Sequence, residues 1–264
     1  MHKYRILLWR FIKNSVIREM EFSINFLLQL ISNTLWFFFT VLFFDIIYHH
    51  IKTINGWSVH QTYFLVATNQ IIIYLYQSFF AQNFNKFPRL IRTGDLDHLL
   101  CKPVDVQFIC SVRYFDVKSF LLLPIPCYFL IHSLSQMKLV PSSGQIIMFT
   151  IFVLGGVILR YLLGLSIMLL SFLFVEVTAL YWMQSEFLRY ASYPASIFKN
   201  GSRIFFTFLI PVILIANLPA AVILKTIENY QILALFTIFY IFIGFFISRK
   251  LFYLCLKGYS SASS

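Results

Sequence analysis

The chain has 264 residues, 59% of them hydrophobic and only 12% charged, and its mean hydropathy of +0.79 excludes an ordinary soluble domain. Several runs exceed the roughly 20 apolar residues that cross about 30 Å of hydrocarbon, and their continuity, with no apolar–polar alternation, excludes a membrane barrel. The net charge of +11 is gathered in alternate loops, so it marks topology and argues against a nucleic-acid partner.

Lys3, Arg5, Arg10, Lys13 and Arg18 precede the first apolar run. Lys86, Arg89, Arg92, Lys102, Arg113 and Lys118 lie between the second and third, and Arg249, Lys250 and Lys257 follow the last. The positive-inside rule then places both termini in the cytoplasm. Cys101, Cys110, Cys127 and Cys255 show no CxxC spacing, so neither a disulfide nor a zinc site is expected. Arg10, Lys13 and Arg18 interrupt the N-terminus before any cleavable signal core, so the first span is expected to serve as the insertion signal.

Residues 1–20 form an amphipathic interfacial helix in one reading and a solvated basic segment in the other. In the helical reading, Lys3, Arg10, Lys13 and Asn14 share one face, and Tyr4, Leu7, Leu8, Phe11 and Ser15 another. The first span is placed at Phe22–Tyr48, with Asp45 near its outer end, and the second at Thr62–Phe80. His49, His50 and His60 lack a carboxylate or thiol to complete a metal set and read as a wet outer loop. Residues 81–113 make a polar cytoplasmic loop. The third span, Phe115–Leu134, carries Pro124-Ile125-Pro126, which predicts a kink or break.

Gln145–Met183 is too long for one span, which predicts a hairpin: a fourth span at Gln145–Leu159, a turn at Arg160–Gly164 and a fifth span at Leu162–Met183. Arg160 would then snorkel to inner headgroups as an anchor. A competing topology makes Gln145–Phe174 one tilted span and moves Arg189, Lys199 and Arg203 to the cytosol; charge favours it, and segment length favours the hairpin. In the hairpin topology residues 184–230 form an outer loop. Within it, Pro211, Asn217 and Pro219 interrupt an apolar run and predict half-helices that dip in and return. The last span is placed at Gln231–Ile247.

Three segments carry a family resemblance. Arg92-Thr93-Gly94-Asp95-Leu96-Asp97-His98-Leu99-Leu100-Cys101-Lys102-Pro103 resembles a motif of ABC-2-type permeases, most closely the small bacterial ones encoded beside a separate ATP-binding subunit. Tyr193-Pro194-Ala195-Ser196-Ile197-Phe198, with Pro211 and Pro219, is similar to the family's re-entrant segment. Lys257-Gly258-Tyr259-Ser260-Ser261-Ala262 is similar to its C-terminal signature, with Ser263 where glycine is often found.

The resemblance implies an all-α polytopic membrane protein in the bacterial inner membrane. It would have six transmembrane helices, an N-terminal interfacial helix, and a re-entrant pair before the last span, which favours the hairpin topology. It also implies a permease subunit of an exporter whose ATP and Mg are bound by two copies of a partner ATP-binding subunit, with no cofactor in this chain. The other partners would be a second permease, identical or paralogous, and membrane lipids. Arg89–Leu100 would be the coupling helix: Gly94 permits a bend, Asp95 caps the next turn, Leu96, Leu99 and Leu100 anchor it, and Arg89, Arg92, Asp97 and Lys102 present charge.

Glu176 falls well inside the predicted fifth span, where it can line a substrate path, pair with Arg160, or serve as a buried structural hydrogen-bonding group. The chain has no Gly-Lys-Ser/Thr phosphate loop, nucleophile motif or HExxH helix. An ion-coupled transporter would need several midplane carboxylates, and Glu176 is the one good candidate. A lipid-modifying enzyme would need clustered groups at one face, for which only His98 with Asp95 and Asp97 is available.

Overall fold

The computed structural model describes residues 2–21, 23–174, 176–226 and 230–259. Ser260, Ser261, Ala262 and Ser263 of the C-terminal signature lie outside the described residues, as do residues 227–229 of the 184–230 loop. Within the described residues the chain is helical, with a single bridge between Ile54 and Trp57 in the place of any strand. Hydrocarbon offers no partner to backbone polar groups, so long apolar runs close their own hydrogen bonds as helices. Among the described residues, five helices are long and apolar enough to cross a membrane, or six if one bent pair counts as a span.

Helix α1 (His2–Glu21) has Tyr4, Leu7, Leu8 and Phe11 partly covered and Ser15 buried, while Arg10, Lys13 and Asn14 are exposed. Helix α2 (Ser23–His50) crosses to the far end. Helix α3 returns over Val59–Arg92. Ser58 opens it with a capping box, accepting from the Gln61 N–H while Gln61 accepts from the Ser58 N–H. At about 1.5 Å per residue α3 is roughly 50 Å long, so several turns project beyond about 30 Å of hydrocarbon. Its most apolar stretch is 61% buried, against 11% for α2 and the last helix, so α3 is the central shaft and those two face lipid.

A wide π-type turn at Gln77–Ala81 interrupts α3. There the Ser78 carbonyl accepts from the Asp116 N–H at 2.8 Å, tying the next span to the shaft. Short helices α4 (Leu96–Leu100) and α5 (Val106–Val112) follow. Helix α6 (Val117–Gln136) breaks at Leu122–Leu123, just before Pro124, as the two prolines predict.

Helix α7 runs unbroken from Ser143 to Leu170, so no turn forms at Arg160–Gly164. An apolar run longer than one bilayer thickness stays helical when its single charge finds partners inside the protein, as Arg160 does. The chain instead turns after Leu170 and climbs back through α8 (Thr178–Arg189) and two 3₁₀ turns, Tyr190–Ser192 and Ala195–Ile197. Asn55, in the loop between α2 and α3, donates to the Ser196 carbonyl at 3.1 Å, so this segment reaches the far end. Then α9 (Asn200–Leu209) and α10 (Val212–Leu224) meet at a 92° bend, and α11 (Tyr230–Lys257) returns. The one tilted helix of the competing topology is thus present, yet the chain still reaches the far end before the bent pair.

Glycine sets the spacing along α7. A Cβ on Gly156 would lie 2.5 Å from the Ile215 carbonyl of α10, and one on Gly164 would overlap the Tyr76 hydroxyl and the Phe84 ring. Gly156→Val should therefore push α10 away and cost about 1–3 kcal/mol, as overpacking does. Gly144→Ala, which meets open space, should be close to neutral. Thermal unfolding of both variants in one detergent checks the difference.

Candidate functional site

Three groups of sequence-predicted residues are placed by the fold, and they lie at different depths. The first is the end of the bundle where the basic residues gather. Lys3 donates to the Pro103 carbonyl at 2.6 Å, Tyr4 packs edge-on to Phe108 at 4.9 Å, and Arg18 donates to Gln82. Arg18, Lys86 and Arg113 surround the Tyr114 ring at 5.0, 3.9 and 5.3 Å, a cation–π arrangement. Asn83 fixes the returning loop by donating to the Tyr114 carbonyl and accepting from the Tyr114 N–H, each at 2.8 Å.

At this end α3 stops at Gly94, whose φ of +74° is the left-handed conformation that glycine adopts without strain. Asp95 stands at the N-cap of α4, but its carboxylate accepts from the Thr93 hydroxyl at 2.6 Å and makes no capping bond. Leu96 and Leu99 are 0% and 2% exposed and share one core with Phe87 and Ile109. Of the three predicted leucine anchors only Leu100 is exposed. Arg89, Arg92, Asp95, His98 and Lys102 are exposed beside it, and Asp97 is half-buried.

Asp105 braces this element from behind. It caps α5 by accepting from the Phe108 N–H at 2.8 Å, pairs with Arg249 of α11, and accepts from the Tyr253 hydroxyl at 3.0 Å. Burial pushes the Asp105 carboxyl up, but its hydrogen bonds from Arg249, Phe108 and Tyr253 outweigh that and hold it below the usual carboxylate value. Sequence inspection missed Asp105 because its partner lies 144 residues away.

The second group surrounds Arg160, which is 6% exposed near the middle of α7. It is not the headgroup anchor expected from the sequence. One guanidinium nitrogen donates to the Asn69 amide oxygen of α3 at 3.3 Å and to the Leu188 carbonyl of α8 at 3.1 Å. Asn69 in turn donates to the Ser192 hydroxyl at 2.7 Å, and the Tyr76 and Tyr181 hydroxyls lie close to each other nearby. Glu176 is not in this group. It lies before α8, fully exposed and outside any helix, where the Thr178 hydroxyl and N–H hold its carboxyl below the usual value. Its predicted place inside a span fails because the chain turns after Leu170 and not at Arg160–Gly164.

The third group is the bent pair. Pro194 is buried and Pro211 stands at the bend, while Pro219 and Asn217 lie within α10, every residue of which is buried. Asn217 accepts from the Ala195 N–H at 2.7 Å and donates to the Tyr193 and Ala191 carbonyls at 3.2 and 3.4 Å. One amide thus satisfies three backbone groups of a segment that has left helical geometry, which is what hydrocarbon depth demands. Pro194 and Asn217 are brought together here; Arg160 and Glu176 are not. A small cavity of about 130 Å³ lies between α3, α7 and α8, lined by Phe84, Pro88, Met168, Val177 and Tyr181.

Two outcomes follow. Asn69→Leu strips Arg160 and Ser192 of their partner and should cost about 1–3 kcal/mol, the penalty for unpaired buried polar groups, measured as lost thermal stability. Because the folded-state value of Asp105 is depressed, its stabilisation is present above the ordinary carboxylate range and is lost as pH falls through the depressed value. Asp105→Asn should therefore flatten the acid limb of a melting temperature–pH curve below about pH 4.

A family model described as ABC-2 family transporter protein matches residues 34–263. No curated protein and no solved structure matches the chain. The match takes in the shaft, the polar element at the basic end, the Arg160 group and the bent pair. This multi-pass helical membrane protein therefore belongs to the ABC-2 transporter family, as a membrane component.

Proposed function

We propose that the chain is the membrane-spanning permease subunit of a bacterial ABC exporter. It sits in the inner membrane with its basic end and both termini in the cytoplasm, as the positive-inside rule directs. ATP and Mg are bound by two copies of a partner ATP-binding subunit, and a second permease, identical or paralogous, completes the path. The cargo is hydrophobic or amphipathic. The observation that carries this reading is the projection of α3 beyond hydrocarbon depth into a turn and short helix that hold Arg92, Asp95, Leu100 and Lys102 outward.

The division of labour within that element is physical. Leu96 and Leu99 fasten it to the core, and the Asp105–Arg249 pair ties its base to α11. A push on the exposed face from closing ATPase subunits is then delivered to α3 and α11 as rigid bodies. Arg89, Arg92 and Lys102 offer cations to partner carboxylates, and Leu100 offers an apolar contact. Gly94 and Asp95 shape the turn between them. Glu176, exposed at the same end and within the electrostatic reach of Arg92, belongs with this surface. Its position outside the spans takes Glu176 itself away from the midplane role that the ion-coupled alternative gave it.

The test is affinity purification of the tagged chain expressed from its own operon, with mass spectrometry of what accompanies it. An ATP-binding subunit should co-purify. Leu100→Asp combined with Arg92→Glu should release that subunit and leave the melting temperature of the chain unchanged. Leu96→Ala should instead cost about 2–5 kcal/mol of stability, as expected for a buried leucine. Purification of the chain alone from an operon with no ATPase gene overturns the reading.

A further inference from the structure

Glu186 and Arg189 of α8 form an ion pair at 2.9 Å whose side chains are 61% and 46% exposed. Two independent contacts give its depth. The neighbouring Leu188 carbonyl accepts from Arg160, which also binds Asn69, near the middle of the stretch Val59–Tyr76. Arg189 itself lies 4.3 Å over the ring of Trp36, at the centre of the 28-residue α2. Both markers place the pair near the bilayer midplane. Charged side chains at that depth do not face lipid; they face protein or a water-filled cavity.

The adjoining surface of α2 carries the same message. Asn25, Gln29, Ser32 and Trp36 are all exposed, and their spacing of four, three and four residues puts them on one helix face. Gln29 donates to Asn25 at 3.3 Å, so the stripe is partly self-satisfied. Leu27 and Ile31, on another exposed face of the same helix, are purely apolar. Lipid therefore suits one exposed side of α2 and not the other. The polar side leads from the basic end up to the point where Trp36 meets Arg189.

We propose that this seam between α2 and α8 lines a water-accessible path that receives the zwitterionic headgroup of an amphiphile, with the tails left toward lipid. The inference rests on the transporter reading and names its substrate class. A pair of opposite charges that is exposed, yet already neutral as a pair, exchanges partners with a ligand bearing both charges without leaving either side chain unpaired. The ligand anion takes Arg189, its cation takes Glu186, and the Trp36 face supports the cation. Asn25 and Gln29 supply neutral hydrogen-bonding groups along the approach.

The test uses membrane vesicles carrying the full chain with its four native cysteines replaced by serine. Single cysteines are introduced by Ser32→Cys and Gln29→Cys on the stripe, and by Leu27→Cys and Ile31→Cys as lipid-facing controls. A charged, membrane-impermeant methanethiosulfonate reagent should label the first two and spare the controls. Dihexanoylphosphatidylcholine at about ten times its Kd should slow labelling of Ser32→Cys roughly tenfold by mass action. Dihexanoylglycerol, which has the same tails and no headgroup, should not. Stripe cysteines as unreactive as the controls overturn the path and assign the face to lipid or to a protein neighbour. Equal protection by both lipids overturns the headgroup site. Labelling needs no ATPase, so failure here is separate from failure of co-purification, which the same cysteine variants should retain.

Discussion

A guanidinium without a carboxylate partner, held near the centre of three helices, is the contact on which the arrangement depends. Arg160 joins α7 to Asn69 of α3 and to the backbone of α8, so one side chain fixes the mutual depth of all three. Removing a charge from water is costly, and the cost is tolerated where fixed dipoles replace the lost hydration. Asn69, the Leu188 carbonyl and the nearby Tyr76 and Tyr181 hydroxyls provide those dipoles. The seam between α2 and α8 exists because α8 is held at this level, where Arg189 reaches Trp36.

Around that knot the structure handles polarity differently at each depth. At the basic end, charges meet water and one another, as in the Glu19–Lys118–Asp116 cluster and the Asp105–Arg249 pair. In the bent pair, Asn217 turns its amide to the backbone of Ala191, Tyr193 and Ala195, a neighbouring segment that is not α-helical. Along the spans, Ser and Thr hydroxyls return to carbonyls four residues back, as at Thr68, Ser78, Ser133 and Thr237. Each device keeps a polar atom from lipid without a second soluble domain.

Much of the fold was legible in the residue string. Continuous apolar runs marked the long helices, Pro124 and Pro126 marked the break in α6, and Pro211 with Asn217 marked the bent pair. The hairpin at Arg160–Gly164 was misplaced because a charge in an apolar run looks like a boundary. Only the distant Asn69 makes Arg160 an interior residue, and local pattern carries no trace of that pairing. Glu176 moved out of the membrane for the same reason, since its depth was inherited from the misplaced turn. At the polar element the motif was visible, but Leu96, Leu99 and Leu100 read alike until packing separated two core residues from one exposed one. The stripe on α2 was present as a four-three-four spacing, masked by the phenylalanines beside it.

The enclosure of α10 has a bearing on how the protein is made. All of its 13 residues are buried against α3, α7 and α11, and none retains a face for lipid. At 13 residues such a segment is too short to span the bilayer by itself, and its prolines weaken it as a free helix. It is therefore the closing piece of biogenesis, seated once α3 and α7 stand together and locked when α11 arrives. A nascent chain halted before α11 would hold its most apolar segment with one wall of its berth missing, a natural point of capture for membrane quality control.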